Sequence, residues 1–376
     1  MQKVIAKINL KAIERNAEYF RTLTDVRLCA VVKANAYGHG AAEVVNALSG
    51  VADCFAVALI EEAISIRSAV CGKDVLVFTP PTVEEDVFAL QENGFIATVD
   101  SLSTARLVKK VADERKKPVR VHLKINTGMN RYGMNLQTLG KVCRLLCGNP
   151  YLLVEGVYSH LHGQTVLSAF AQRKIFLRAV EITKGYFTNV TAHLSATFGA
   201  LLGKEFAFDM VRIGLGLYGY APMPELPLKK AMQVYAQCVA TRKYGFGALG
   251  YGENIRREKF GSQISTLRFG YADGFLRVQR NGVEGYERNA NNLCMDVCLR
   301  FGRQRKGALV PVLTDATEIA QATGTITYEV LCAATRRAEM VYDDDEIAIC
   351  GNGKRRARDN GSKIRITCAH AKTPRR

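Results

Sequence analysis

The segment RLCAVVKANAYGHGAAEVVNALSG (residues 27–50) contains one complete strand–helix unit. Its first part, RLCAVVKA, is a short apolar run, which is typical of a buried strand. In GAAEVVNALSG the apolar residues recur at helical spacing and a glycine closes the segment, which predicts a helix. Lys33 stands where the strand ends. The segment therefore raises the question of what a lysine does at the tip of a strand that otherwise belongs to a core.

The same alternation of strand and helix continues to about Leu228. Helices are predicted at about Leu136–Leu146 and around Ala169–Lys184, and Ser101 can cap a helix over residues 102–117. Eight strand–helix units over roughly two hundred residues predict a (β/α)8 TIM barrel. An open, doubly wound sheet has a similar alternation and is the alternative. The seven further strands are predicted in DCFAVAL, DVLVFTP, FIATVD, VRVHLKIN, YLLVEGVYSH, FTNVTAHLS and FDMVRIGLGLYGY.

The pattern changes after about Leu228. Short strand-like segments with turns replace the helical runs, in MQVYAQCVATRK, ISTLRFGYADG and TITYEVLC. The fold class is therefore α/β, with a barrel over residues 1–228 and a mostly-β domain over residues 229–342. We expect the first strand of the chain to pack with this second domain. Residues 343–376 form a basic tail that we expect to be poorly ordered.

Composition and charge argue against several classes of protein. The 376 residues contain no run of about 18 apolar residues, and the N-terminus lacks a continuous signal-peptide core, so neither a membrane span nor a signal peptide is expected. The eleven cysteines include no C-x-x-C pair, which favours reduced thiols and a cytoplasmic location. Much of the formal charge of +17 lies in the tail, and no RNP or zinc-finger motif accompanies it. No nucleic-acid or membrane partner is expected.

Several polar side chains stand at the predicted strand ends, where a TIM barrel carries its chemistry. In VRVHLKIN the residues alternate, so that Lys124 lies on a polar interior face nearest the mouth. The loop after this strand contains two glycines and Arg131. The other strand-end residues are Lys33, His160, Ser195 and Arg212.

The eighth strand continues into RIGLG, where Gly214 and Gly216 let a ligand approach the backbone closely. The loops after strands seven and eight are the usual phosphate site of this fold. A lysine opposite a phosphate site fits pyridoxal 5′-phosphate (PLP), which needs an amine for its aldehyde. The alternative is that Lys33 simply extends to solvent.

AVVKANAYGHG closely resembles the PLP-lysine signature of the alanine racemase family. Further segments are similar to the motifs of that family, in the same order, from about Val4 to Tyr342. They are VHLKINTGMNRYGM, YSHLHG, HLSATFGALL, FDMVRIGLGLYGYAP, LGYGE, GYADGFLR, CMD and TITYEVLC.

The resemblance implies a role for each matching residue. Lys33 would hold PLP and act as one catalytic base, and Tyr251 would be the opposite base, contributed by the other protomer of a head-to-tail homodimer. Arg212 would lie against the pyridine nitrogen, with His160 near Arg212 and Tyr251. The phosphate contacts would be Tyr37, Ser195, Gly214, Leu215 and Tyr328.

The resemblance also implies the substrate contacts. Arg131 would contact the ring oxygen and the substrate carboxylate, and a carbamylated Lys124 would position Arg131. Met295 would contact the substrate from the second protomer, and Tyr271 would line the entry with Tyr328. The implied reaction is a two-base interconversion of L- and D-alanine that supplies D-alanine for bacterial peptidoglycan. No metal is implied.

Some residues depart from the family pattern. Asn292 stands where the family has an arginine, and residues 283–292 and 299–322 match poorly, which puts dimer assembly and activity in doubt. Three alternatives remain. They are a racemase of broader specificity, for example for serine, a PLP-binding barrel protein without racemase activity, and a metal-dependent hydrolase that uses His160, His162 and Lys124.

Overall fold

A computed structural model describes residues 4–163, 165–223, 225–252, 255–276 and 293–343 of the protein. The chain begins with β1 (Val4–Asn9) and α1 (Leu10–Thr24). Helix α1 starts at Asn9, whose side chain accepts a hydrogen bond from the Ala12 N–H and so satisfies one of the free amides of the first turn.

Eight parallel strands then form a closed ring. They are β2 (Arg27–Val31), β3 (Cys54–Val57), β4 (Asp74–Val77), β5 (Ala97–Val99), β6 (Val119–Lys124), β7 (Leu152–Tyr158), β8 (Thr191–His193) and β9 (Met210–Ile213). β2 pairs with both β3 and β9, and backbone bonds of Ile96 join β4 to β5. The Asp209 N–H donates to the Ala192 carbonyl at 3.0 Å, which joins β8 to β9. The predicted barrel is confirmed, and the open sheet is excluded.

The helices lie between successive strands of the ring. They are α2 (Lys33–Gly38), α3 (Ala41–Ala47), α4 (Ile60–Ile66), α5 (Glu84–Asn93), α6 (Leu102–Arg115), α7 (Leu136–Leu146), α8 (Val166–Lys184) and α9 (Thr197–Leu202). Helix α7 has the predicted bounds, and Ser101 caps α6 by accepting a bond from the Thr104 N–H. Helix α8 starts three residues before the prediction, because Thr165 caps it.

A second sheet is built around the long strand β10 (Met232–Lys243). β1 pairs antiparallel with β10, and it pairs parallel with the last strand of the second part of the chain. The remaining elements of this part are β11 (Gln263–Leu267), β12 (Cys298–Phe301), β13 (Leu309–Leu313), α10 (Ala316–Thr323), α11 (Thr327–Ala333) and β14 (Glu339–Asp343).

One secondary-structure prediction is wrong. The segment TITYEVLC is not a strand, because Thr327–Ala333 form α11, and α10 shows that helices continue after residue 228. The β-branched and aromatic residues of this segment favour a strand locally, but packing decides the outcome. Val330 and Leu331 are buried in the main core, and α11 packs against the turn after Lys33.

Two predictions concern segments without described structure. The basic tail beyond Asp343 and the departing residues 283–292, including Asn292, lie outside the described residues. Residues 299–322 contain most of β12, all of β13 and most of α10. In the described part of the chain, no helix is long and apolar enough to cross a membrane.

Candidate active site

Lys33 and the other predicted strand-end residues meet at one mouth of the barrel. The pKa of His160 lies well below its usual value, because of burial and then of the nearby charges of Arg212, Lys124, Arg131 and Lys33. The same groups act on one another, so the mouth contains four cationic side chains within electrostatic range. Such a site attracts anions and favours neutral forms of its own amines.

Lys33 stands at the start of an unusual turn. Ala34 to Tyr37 all have left-handed backbone angles, with φ between 51° and 54°. Each L-residue in this conformation costs about 1–2 kcal/mol, so four in succession need strong local anchors. The His39 Nδ1 atom lies 3.0 Å from the carbonyl oxygens of Ala36 and of Tyr37, and its N–H group can donate to them. The sequence offered no signal for this turn, because residues 34–37 contain no glycine.

The Lys33 amine is partly buried, and its pKa is lowered, first by burial and then by Arg131. A lysine with a lowered pKa has more of the neutral, nucleophilic form at neutral pH. Arg131 itself is exposed on a loop that Asn126 organises. The Asn126 side chain accepts bonds from the Gly128 N–H at 2.9 Å and the Asn130 N–H at 3.1 Å.

Arg212 is almost fully buried on β9 and is fixed by its terminal nitrogens. They donate to the carbonyls of Ser159, His193 and Leu194 at 2.6, 2.9 and 3.0 Å. One of them also donates to His193 Nδ1 at 3.0 Å, and the other lies 3.5 Å from His160 Nδ1. Burial lowers the pKa of Arg212 only to about 10, so it stays charged near neutral pH. Its Nε–H makes no hydrogen bond to any described residue and remains as a donor for a ligand acceptor.

Behind Arg212 lies a histidine pair that sequence reasoning did not assign to the site. His193 Nδ1 accepts from Arg212, so its Nε2 must carry the proton and donate to His122 Nδ1 at 3.0 Å. Burial is the main reason why the pKa of His122 falls to about 3, and that of His193 also falls well below its usual value. Both histidines are therefore neutral and hold the guanidinium through one fixed tautomer.

Lys124 lies in the barrel interior with almost no exposed surface. Its Nζ atom is 4.5 Å from the centre of the Tyr158 ring, and no described carboxylate forms an ion pair with it. Burial, then Arg212 and Arg131, lower its pKa well below the usual value. Tyr158 is fixed below it by a hydrogen bond of 2.8 Å between its hydroxyl and Thr98. Sequence reasoning assigned Tyr158 no role in the site.

The predicted phosphate side of the mouth is formed by Gly214 and its neighbours. A Cβ atom on Gly214 would lie 2.7 Å from the Tyr37 hydroxyl, so only glycine leaves this space open. The Tyr37 and Tyr328 rings lie 5.9 Å apart, and Leu215 begins the short 3-10 helix Leu215–Tyr218. The Thr197 hydroxyl accepts a bond from the Gly216 N–H at 3.1 Å, which places it at the same loop.

Ser195 does not fit its predicted phosphate role. It is fully buried, and its hydroxyl donates to the Phe206 carbonyl at 2.7 Å. The backbone after β8 turns so that this side chain points into the core. The hydroxyl two residues later, on Thr197, takes the position at the mouth. Sequence reasoning selected the first hydroxyl after the strand and had no means of predicting this turn.

The second part of the chain carries Tyr251 and Met295, which are predicted to act across a dimer, and Tyr271, which is predicted to line the entry. Tyr251, Tyr271 and Met295 are 79%, 37% and 53% exposed. The Tyr271 N–H donates to the Cys294 carbonyl at 3.1 Å, which joins the GYADG and CMD segments. Tyr251 and Tyr271 line one groove of about 780 Å³. Tyr251 has no hydrogen bond to any described residue.

Comparisons with known proteins agree with this architecture. The family models for the alanine racemase N-terminal and C-terminal domains match residues 8–222 and 231–342. The alanine racemase of Clostridium novyi is 31% identical, over 91% of this chain and 96% of its own. The solved alanine racemase of Clostridium difficile is 28% identical with a TM-score of 0.82, over 91% of this chain and 96% of that one. The alanine racemase of Bartonella henselae, solved with covalently bound pyridoxal phosphate, has the same fold at 24% identity and a TM-score of 0.80, over 91% of this chain and all of that chain.

Proposed function

Because this chain belongs to the alanine racemase family, we propose that it interconverts L-alanine and D-alanine with PLP as its cofactor. The observation that carries this proposal is the convergence of three groups on one mouth. They are a lysine whose pKa is lowered, a buried arginine with one free N–H, and a loop kept open by glycine. When bound, PLP supplies the electron-withdrawing system that acidifies the Cα–H bond of an amino acid.

The donor set of the mouth fits this cofactor. The neutral Lys33 amine suits its aldehyde, and the free Nε–H of Arg212 suits the pyridine nitrogen as an acceptor. An arginine that stays charged does not give its proton to the ring, which limits side reactions that need a protonated ring. Arg131 suits the ring oxygen. Tyr37, Tyr328, Gly214 and Leu215 would hold the phosphate, and we assign the hydroxyl role to Thr197 in place of Ser195.

Racemisation needs a base on each side of the substrate Cα. Lys33 is the base on one side, since its lowered pKa keeps the amine able to accept a proton. We assign the other side to Tyr251 of a second copy of the chain, with His160 between Tyr251 and Arg212. The exposure of Tyr251, without a described hydrogen-bond partner, supports a role across a homodimer interface.

Arg131 and Lys124 suit the substrate carboxylate. Arg131 would bind it, and a carbamylated Lys124 would hold Arg131. The neutral Lys124 amine can add to the carbon of CO2 and release one proton, which gives a carbamate anion. The cations Arg131 and Arg212 near Lys124 favour that anion. We assign a further substrate contact to Met295 of the second copy, and Tyr271 would line the entry with Tyr328.

The product would be D-alanine for the bacterial cell wall. We also propose a cytoplasmic location, which is supported by the free thiols of all nine described cysteines.

The test is a chiral assay on the purified full chain loaded with PLP. L-Alanine is supplied, and D-alanine is measured with a D-specific oxidase, with L-serine in a parallel reaction. We expect D-alanine from the wild type and none from Lys33→Ala. A chain that binds PLP at Lys33 and forms no D-alanine would refute the proposed activity. Faster conversion of serine than of alanine would favour the broader racemase.

A further inference from the structure

Glu62 binds the backbone on both sides of the gap between two barrel strands. Its Oε1 accepts a hydrogen bond of 2.7 Å from the N–H of Ala34, the residue after Lys33. Its Oε2 accepts from the N–H groups of Ala58 and Leu59, which follow β3, at 2.8 and 3.1 Å. One carboxylate therefore connects the end of the neighbouring strand to the peptide that follows Lys33.

This connection is made at the strained end of the Lys33 segment. The left-handed residues begin at Ala34, so the bond from its N–H fixes the first peptide of the turn. His39 holds the other end of the turn. Since Glu62 lies in the first turn of α4, which continues from β3, it links the direction of the Lys33 backbone to the barrel wall.

Glu62 is also a charge beside Lys33. The titratable and charged groups that act on the Lys33 amine are Arg131, Glu62 and Cys332, and His160 lies close enough to be influenced by Lys33. Burial and Arg131 lower the pKa of Lys33, whereas Glu62 raises it. Glu62 is the one carboxylate in this set, so it opposes the effect of Arg131.

We propose that Glu62 is a positioning residue for Lys33, because its carboxylate fixes the peptide after Lys33 and places a negative charge beside the amine. This inference rests on the proposed function, in which the Lys33 amine bonds to the cofactor. Glu62 itself touches neither substrate nor cofactor in this proposal.

The test compares three variants of the full chain. Glu62→Gln removes the charge and places an N–H2 group against backbone N–H donors. Glu62→Asp keeps the charge on a shorter side chain. Glu61→Gln is the matched control, since Glu61 is exposed in the same helical turn and forms no described hydrogen bond.

Two measurements need no substrate. The first is amide hydrogen exchange at Ala34. The second is the rate of PLP uptake by cofactor-free chain as a function of pH, because only the neutral Lys33 amine adds to the aldehyde carbon.

For Glu62→Gln we expect exchange at Ala34 to be at least ~10-fold faster, since a bond to a charged acceptor is lost. The rise of the uptake rate with pH should move to lower pH, because the carboxylate that raises the pKa of Lys33 is gone. Glu62→Asp should keep the wild-type pH dependence, and Glu61→Gln should match the wild type in both measurements.

Identical results for Glu62→Gln and Glu61→Gln would overturn the proposal. Faster exchange with an unchanged pH dependence would also overturn it, because Glu62 would then have a structural role only. A wild-type chain that takes up PLP but does not racemise alanine would contradict the proposed function and leave this inference standing. A wild-type chain that takes up no PLP would refute both.

Discussion

The two hydroxyls after β8 provide a direct test of the phosphate site. Ser195→Ala removes the bond to the buried Phe206 carbonyl and leaves that carbonyl without its donor. Thr197→Val keeps the side-chain shape but removes the acceptor of the Gly216 N–H. Both variants should lower the free energy of unfolding by about 1–2 kcal/mol, the cost of one unsatisfied buried group. For a domain of this size, the corresponding fall in Tm is roughly 2–8 °C.

Cofactor affinity should separate the two variants. In Thr197→Val the charged phosphate loses the hydrogen bond that the Thr197 hydroxyl would donate to it, so the Kd for PLP should rise roughly ten- to a hundred-fold. In Ser195→Ala the lost bond faces the core and lies away from the phosphate. The Kd for PLP should therefore stay within about twofold of the wild-type value, because distant sites act nearly independently. The assay is an absorbance titration of cofactor-free chain with PLP, with thermal unfolding measured on the same samples.

Ser195→Ala serves as the stability-matched control for Thr197→Val. A large rise in Kd for Ser195→Ala together with an unchanged Kd for Thr197→Val would refute the assignment. It would mean that the Ser195 hydroxyl turns toward the mouth when the phosphate binds.

Three further predictions follow from the site. Tyr251→Phe should slow racemisation and should suppress solvent hydrogen exchange at Cα more strongly for one alanine enantiomer than for the other; equal suppression would contradict the two-base assignment. The carbamate on Lys124 should appear as a carbonyl signal in 13C NMR after growth with 13CO2. Lys124→Ala leaves Arg131 without its partner, so this variant should lose the signal and show a higher KM for alanine. A wild-type spectrum without this signal would contradict the carbamate. Burial lowers the pKa of His39 from 6.5 to about 4 and that of His122 to about 3, so the unfolded chain binds more protons below pH 6.5 and the free energy of unfolding should fall between pH 6.5 and 4. Urea midpoints across this range check the sign, and a rise on acidification would refute it.

The barrel was predictable because its signal is repeated. Each strand is covered on both faces and is therefore apolar, and each helix carries one apolar face. Helix α7 shows the result, since Leu139, Val142 and Leu146 are buried at helical spacing and the predicted bounds are those of the structure. The alternation of side chains along a strand also predicts which face a residue at the strand end occupies. This is why Lys124 was correctly expected inside the barrel.

Positions that depend on distant contacts were not predictable. The left-handed turn at Ala34–Tyr37 runs against local preference and is held by Glu62, which stands 28 residues after Ala34. Ser195 and Thr197 are both hydroxyl residues after a strand, and only the path of the backbone separates them. The helical state of TITYEVLC depends on packing against the turn beside Lys33.

The charges at the mouth explain why the barrel needs the contacts that hold the left-handed turn and Arg212 in place. Lys33, Lys124, Arg131 and Arg212 repel one another, and of the groups that shift the pKa of Lys33, Lys124 or Arg212, only Glu62 is a carboxylate. Repulsion within such a cluster lowers the free energy of unfolding until anions bind to it. The cofactor phosphate, the substrate carboxylate and a carbamate on Lys124 would each supply negative charge. Binding of PLP to the folded chain alone must therefore raise its free energy of unfolding. The turn, the histidine pair and Glu62 hold the cations in place before those anions arrive.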